Sequence, residues 1–180
     1  MNAMNTHYPE PVRVEPVNRH TLAVIVDNEP GVLARISGMF SGRGYNIESL
    51  TVSETEEARH LSRITIVTAG TNAVIDQIKA QLDRLVPVHR VVDLTLHGGA
   101  IEREICLVKV RGEGEHRSEA LRLAAAFGAK TLDATLNSFV FELTGSTEEV
   151  DRFVRLMSVI GLVEICRTGI AAMARGAEAL

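Results

Sequence analysis

The residues of this 180-residue chain best suited to chemistry fall in two phrases, Asp27-Asn28-Glu29-Pro30-Gly31-Val32-Leu33 and Arg43-Gly44-Tyr45-Asn46-Ile47-Glu48-Ser49-Leu50. They stand about one helix length apart. Leu22, Val24 and Val26 alternate ahead of the first phrase, as in a strand, and Asn28 and Pro30-Gly31 interrupt that strand. Val32, Ile36 and Phe40 then recur at four-residue spacing, so a helix begins near Gly31. A helix start leaves backbone N–H groups unpaired at a site of partial positive charge. Glycine lets a ligand come close to that backbone. The chemistry available there is capture of a small carboxylate. The same pattern is also that of an ordinary strand-to-helix connection.

Other chemistries have less support. The six histidines (His7, His20, His60, His89, His97, His116) lack H-x-x-x-H or H-E-x-x-H spacing and read as strand ends and surface positions, so no metal site is expected. No Ser, Cys or Lys lies in a local nucleophile motif, and no catalytic residue is assigned. Arg111-Gly112-Glu113-Gly114-Glu115 contains G-x-G, but the third glycine is missing and two glutamates would repel phosphate; a polar connecting loop fits better. Cys106 and Cys166 fall on strands that the fold below sets side by side, and read as two buried, reduced thiols.

Composition narrows the class. The chain is 46% hydrophobic and 23% charged, with net charge −4. That balance gives no electrostatic footprint for nucleic acid or an anionic membrane. Aromatic residues are 4% and Trp is absent, so a base-stacking surface is not expected either. No apolar run approaches the roughly 20 residues of a membrane span, and the expected location is the cytoplasm.

The elements that must position the two phrases follow from periodicity. Residues 1–18, with Pro9, Pro11 and Pro16, read as a flexible arm. Strands are expected at His20–Asp27, Asn46–Glu54, His60–Ala69 and Val88–Leu96, with the polar stretch Thr55–Arg59 joining the second to the third. Helices are expected at Gly31–Arg43 and around Ile75, Ile78, Leu82 and Leu85, with Pro87 as the stop. Past His97-Gly98-Gly99 the order repeats. A strand containing Glu104–Val110 precedes a helix at about Arg117–Phe127. A hairpin of Lys130–Leu136 and Ser138–Leu143 follows, then a helix at Thr147–Ser158, capped by Ser146 or Thr147, and a strand at Leu162–Arg167. Each half is βαββαβ, so the fold class is α+β, two tandem ferredoxin-like domains. The divisions are 19–96, a linker at 97–99, 100–168 and a tail at 169–180. Each unit is small for an isolated core, so packing between domains or subunits is expected.

Both phrases, with Glu102-Arg103-Glu104-Ile105, Leu107-Val108-Lys109 and Arg167-Thr168-Gly169-Ile170 through Ala174-Arg175-Gly176, resemble the small regulatory subunits of acetolactate synthase, which open with an ACT domain. The likeness spans roughly Arg19 to Gly176. It implies a regulatory chain without activity of its own that activates a large catalytic subunit and confers feedback inhibition by valine or another branched-chain amino acid. Thiamine diphosphate, Mg²⁺ and FAD are then expected on that catalytic subunit, and no cofactor on this chain. The resemblance also implies a homodimer through ACT domains, with the effector between one chain's turn (Asn28, Gly31, Val32, Leu33) and its partner's Asn46 and Ile47. Glu102, Arg103 and Glu104 admit two readings, an ion-paired strand edge or contact with a neighbouring domain or the catalytic partner. An ACT-domain amino-acid sensor acting on transcription is the alternative, but it would need a DNA-reading helix pair and a basic surface. A stand-alone enzyme on tandem ferredoxin-like domains is a further one.

Overall fold

The computed structural model describes residues 15–56, 60–96 and 99–179. Most of the expected N-terminal arm, part of the Thr55–Arg59 connection, and His97 and Gly98 of the linker lie outside the described residues.

The first half runs β1 (Asn18–Asp27), α1 (Val32–Gly42), β2 (Ser49–Glu56), β3 (Leu61–Gly70), α2 (Asn72–Leu82) and β4 (Val88–Asp93). Its sheet has strand order β2-β3-β1-β4 and is antiparallel throughout, with Leu22 opposite Ile66 and Asp93. Alternation puts Leu22, Val24, Val26, Ile64 and Ile66 on one face. Ile36 and Phe40 of α1 and Ile75, Ile78 and Leu82 of α2 cover that face. The R-G-Y part of the second phrase is a helix stop: Tyr45 N–H donates to Phe40 O (3.0 Å) and Gly44 N–H to Ser41 O (3.1 Å). Strand pairing resumes only at Ser49, so Asn46 and Ile47 belong to the lead-in, not to the strand expected from Asn46 onward.

The second half runs β5 (Ile101–Arg111), α3 (Gly114–Ala126), β6 (Lys130–Ala134), β7 (Ser138–Gly145), α4 (Thr147–Ile160) and β8 (Leu162–Arg167), with strand order β6-β7-β5-β8. Cys106, Val108, Val110, Phe139, Phe141 and Leu143 face α3 and α4, where Val150, Phe153 and Met157 complete the core. Helix α3 begins at Gly114, a turn earlier than expected, so the G-x-G stretch runs into the helix. Strand β6 stops at Ala134, because Thr135 turns the chain by bonding its hydroxyl to the N–H groups of Asn137 and Ser138.

One element was not expected. Past Arg167 the chain forms β9 (Ala171–Met173), which pairs with Ile101–Arg103 at the start of β5. Ile170 and Ala172 pack on Ala23 and Val67, on the helix-free face of the first sheet, and on Leu94 just past β4. The end of the second half thus covers the first.

Candidate functional site

The first phrase forms a tight exposed turn between β1 and α1. Asp27 N–H donates to Pro87 O (2.9 Å) and Asn28 N–H to His60 O (2.6 Å), which pins the strand end to both flanking elements. His89 Nε2 meets Asp27 Oδ1 at 2.6 Å on the rim. Gly31 stands at the helix N-cap with φ 89°, left-handed backbone that a side chain would strain, and nothing lies within 4 Å of the place a Cβ would take. No side chain caps this helix end and no acidic residue lies in its first turn. Val32 N–H points back to Glu29 O at 3.4 Å, and Arg35 N–H bonds Gly31 O at 3.0 Å. The N–H groups between them are the donors a carboxylate would use. Val32 is buried in the core, whereas Leu33 is 42% exposed and forms an apolar shoulder.

Asn46 and Ile47 are held elsewhere. Asn46 O accepts from Thr68 Oγ1 (2.6 Å), Glu48 N–H donates to Val67 O (2.8 Å), and Ile47 leans on the first core. The register places Ser49 beside Val67 and Val67 beside Thr21, while the turn follows Asp27 at the opposite end of β1. Six residues of strand, about 20 Å, separate the two levels. One chain does not bring the six predicted residues together: Asn28, Gly31, Val32 and Leu33 stand at one end of the sheet, Asn46 and Ile47 at the other.

Several side chains differ from expectation. His20 is buried, not at the surface, because β1 is a central strand; its Nδ1 lies 2.7 Å from Asp93 Oδ2. The cysteines are not both buried. Cys106 faces the second core, where burial pushes its thiol up to about 11. Cys166 sits opposite Leu107 in the register, on the other face, and is exposed. Among the described residues no cluster of three or more His, Cys, Asp and Glu could hold a metal ion. No described helix is long and apolar enough to cross a membrane.

The Glu102–Glu104 segment is not a strand edge, since β5 is paired by β7 on one side and by β8 and β9 on the other. Glu104 is ion-paired within the second domain, and Glu102 makes the contact with the neighbouring one. Glu104 is buried on the helix side of β5 and forms a two-point ion pair with Arg167, whose Nε lies 3.0 Å from Glu104 Oε2. Arg167 Nη1 also donates to Asp151 Oδ1 (2.7 Å), and the Glu104 bond raises the guanidinium pKa above its ordinary value. Glu102 reaches the first domain, where its Oε1 accepts from Thr21 Oγ1 at 2.5 Å. Arg19, Glu48, Ser49, Arg167 and Ile170 line a cleft of about 490 Å³ between the halves.

A split βαβ sheet with an uncapped glycine turn at its first helix, carried in tandem with a second such sheet, defines a tandem ferredoxin-like chain that opens with an ACT domain. Residues 22–90 match the AHAS small subunit-like ACT domain family, and residues 103–176 match the family described as small subunit of acetolactate synthase. The chain is 44% identical over 158 residues to a probable acetolactate synthase small subunit of Archaeoglobus fulgidus, covering 88% of this chain and 98% of that one. It is 42% identical over 159 residues to the isozyme 3 small subunit of Escherichia coli, covering 88% and 96%. The crystal structure of the small subunit from Thermotoga maritima superimposes with a TM-score of 0.81 at 36% identity, covering 89% and 99%. The chain belongs to the acetolactate synthase small-subunit family.

Proposed function

We propose that this chain is the regulatory subunit of an acetolactate synthase, that it activates the large catalytic subunit, and that it makes the enzyme sensitive to valine or a related branched-chain amino acid. The observation that carries the effector reading is the start of α1: exposed, uncapped, without an acidic residue in its first turn and approached over a glycine. The effector carboxylate would sit on the N–H groups there. Asn46 would take the ammonium group through its amide oxygen. Leu33 and Ile47 would face the aliphatic side chain. Such walls separate ligands differing by one methylene only weakly.

The register supports a dimer as the binding unit. β2 is an edge strand with no partner on its outer side among the described residues, and Val52 on it is 45% exposed. A two-fold axis pairing two β2 edges antiparallel reverses one sheet against the other. Each chain's Asn46–Ile47 then comes level with its partner's glycine turn. Thiamine diphosphate, Mg²⁺ and FAD belong, in this reading, to the catalytic subunit, and the chain alone forms no acetolactate.

The test mixes the purified chain with an acetolactate synthase large subunit, with and without valine, beside calorimetry of the chain alone against valine, leucine and isoleucine. The expected result is activation by the chain, inhibition by at least one of the three, and a ligand-dependent rise in melting temperature. Turnover of pyruvate by the chain alone would remove the regulatory reading. Absence of binding to all three would remove the effector site.

A further inference from the structure

The segment Thr168–Ala172 touches the two domains at once. On the second-domain side, Thr168 N–H donates to Ile105 O (3.1 Å) and Ile105 N–H to Thr168 Oγ1 (3.1 Å), while β9 pairs with the start of β5. Just before it, Arg167 is fastened to Glu104 and Asp151. On the first-domain side, Ile170 N–H donates to Ser49 Oγ (3.0 Å), and Arg63 Nη2 donates to Ala172 O (2.6 Å). Ile170 is 2% and Ala172 8% exposed against Ala23, Val67 and Leu94. Gly169 lies so close to β2 that a Cβ there would stand 2.7 Å from Ser49 Oγ and 3.0 Å from Thr51 Oγ1, with φ at 81°.

Ser49 is the first paired residue of β2, two positions beyond Ile47. Movement of the Asn46–Ile47 lead-in is passed along the chain through Glu48 to Ser49, and through Ser49 to Ile170 and Gly169. Closely packed neighbours of this kind transmit strain to one another.

We infer that Thr168–Ala172 is the relay of this regulatory chain: effector occupancy at the Asn46–Ile47 wall is read by Ser49 and carried through the segment to β5 and the Glu104–Arg167–Asp151 cluster. The relay rests on the effector reading above. It assigns Ser49, Arg63 and Gly169 a positioning role, since none of them faces the effector. Coupling of this kind requires that bound and free states differ in the contacts the relay makes.

Amide hydrogen exchange on the full chain, with and without valine, tests it, with Ser49→Ala and Arg63→Met as variants whose fold is checked by circular dichroism. In the unaltered chain, valine should slow exchange at residues 28–34 and 46–50, and also at 168–173 and 101–106. The slowing at these distant positions should be about 5- to 150-fold, the span of ordinary coupling energies. Either variant should hold valine within about threefold of the original affinity, well under 1.4 kcal/mol, and keep the slowing at 28–34. Its response at 168–173 and 101–106 should disappear. Valine protection that stops within the first domain of the unaltered chain, or a full distant response in Ser49→Ala and Arg63→Met, overturns the relay and leaves the effector site standing. No calorimetric binding of valine to the unaltered chain overturns both.

Discussion

Gly31 carries the sharpest test of the effector site. In Gly31→Asp the new carboxylate stands where the effector's own is expected. Two like charges about 4 Å apart repel by roughly 4 kcal/mol at an effective dielectric near 20. Affinity for valine should then fall by about two to three orders of magnitude. The φ of 89° adds backbone strain, but open space around the site spares the core. The expected variant is a folded dimer that still activates the catalytic subunit and no longer responds to valine; undiminished inhibition would put the effector elsewhere. The cysteines give a second residue-scale prediction. With a thiol reagent at pH 8, the native chain should show one reactive cysteine and the unfolded chain two. Cys166→Ser should abolish the native reactivity. The folded value of Cys106, about 11, lies above its ordinary 9.0, so the folded state keeps this proton longer than the unfolded one does. Its stabilising effect is whole below pH 9.0 and is lost as pH climbs toward about 11.

Among the elements, α4 has the most complete start. Ser146 Oγ accepts from Glu149 N–H (3.3 Å), and Glu149 Oε2 accepts from Ser146 N–H (2.9 Å). Ser146→Ala should cost about 1 kcal/mol, visible as a drop of about 2–4 °C in melting temperature. The bond from the Ser146 backbone holds the Glu149 carboxyl below its ordinary 4.5. A depressed folded value stabilises above the unfolded one, so this contribution is present at neutral pH and is lost as pH falls below 4.5. The capping residue was legible as Ser146 or Thr147 because small hydroxyl residues followed by glutamate announce a helix start. β9 was not legible. Three residues, Ala171 to Met173, carry no periodicity of their own, and their conformation comes from β5 and the first sheet on which they lie.

For the whole molecule, the C-terminal cover changes what a domain cut should do. A fragment ending at Leu96 keeps a complete βαββαβ set and should fold and dimerise, as judged by circular dichroism and sedimentation. It loses Ile170 and Ala172 from the helix-free face and leaves Ala23, Val67 and Leu94 bare. Burial of one isoleucine contributes about 1.5–3 kcal/mol, so the fragment should be less stable than the full chain by about that much and melt at a lower temperature. A fragment as stable as the parent domain in the full chain would mean that the cover contributes nothing. An unfolded fragment would overturn the two-domain division.

The order of elements, the two cores and the glycine turn were readable because each is local: alternation, four-residue spacing and a Pro30-Gly31 break act over a few residues. Leu22, Val24 and Val26 mark their core face without knowing what covers it. Strand order was decided by tertiary pairing, and with it the burial of His20 on central β1 and the exposure of Cys166 on edge strand β8. The same pairing put Asn46 and Ile47 at the end of the sheet away from Gly31, a separation invisible in a sequence where they stand one helix apart. The cover of Ala23, Val67 and Leu94 by Ile170 and Ala172 is likewise a meeting of residues more than seventy positions apart. No local pattern encodes it, because an apolar residue records only that it will be buried, and the partner that buries it is chosen by the folded chain as a whole.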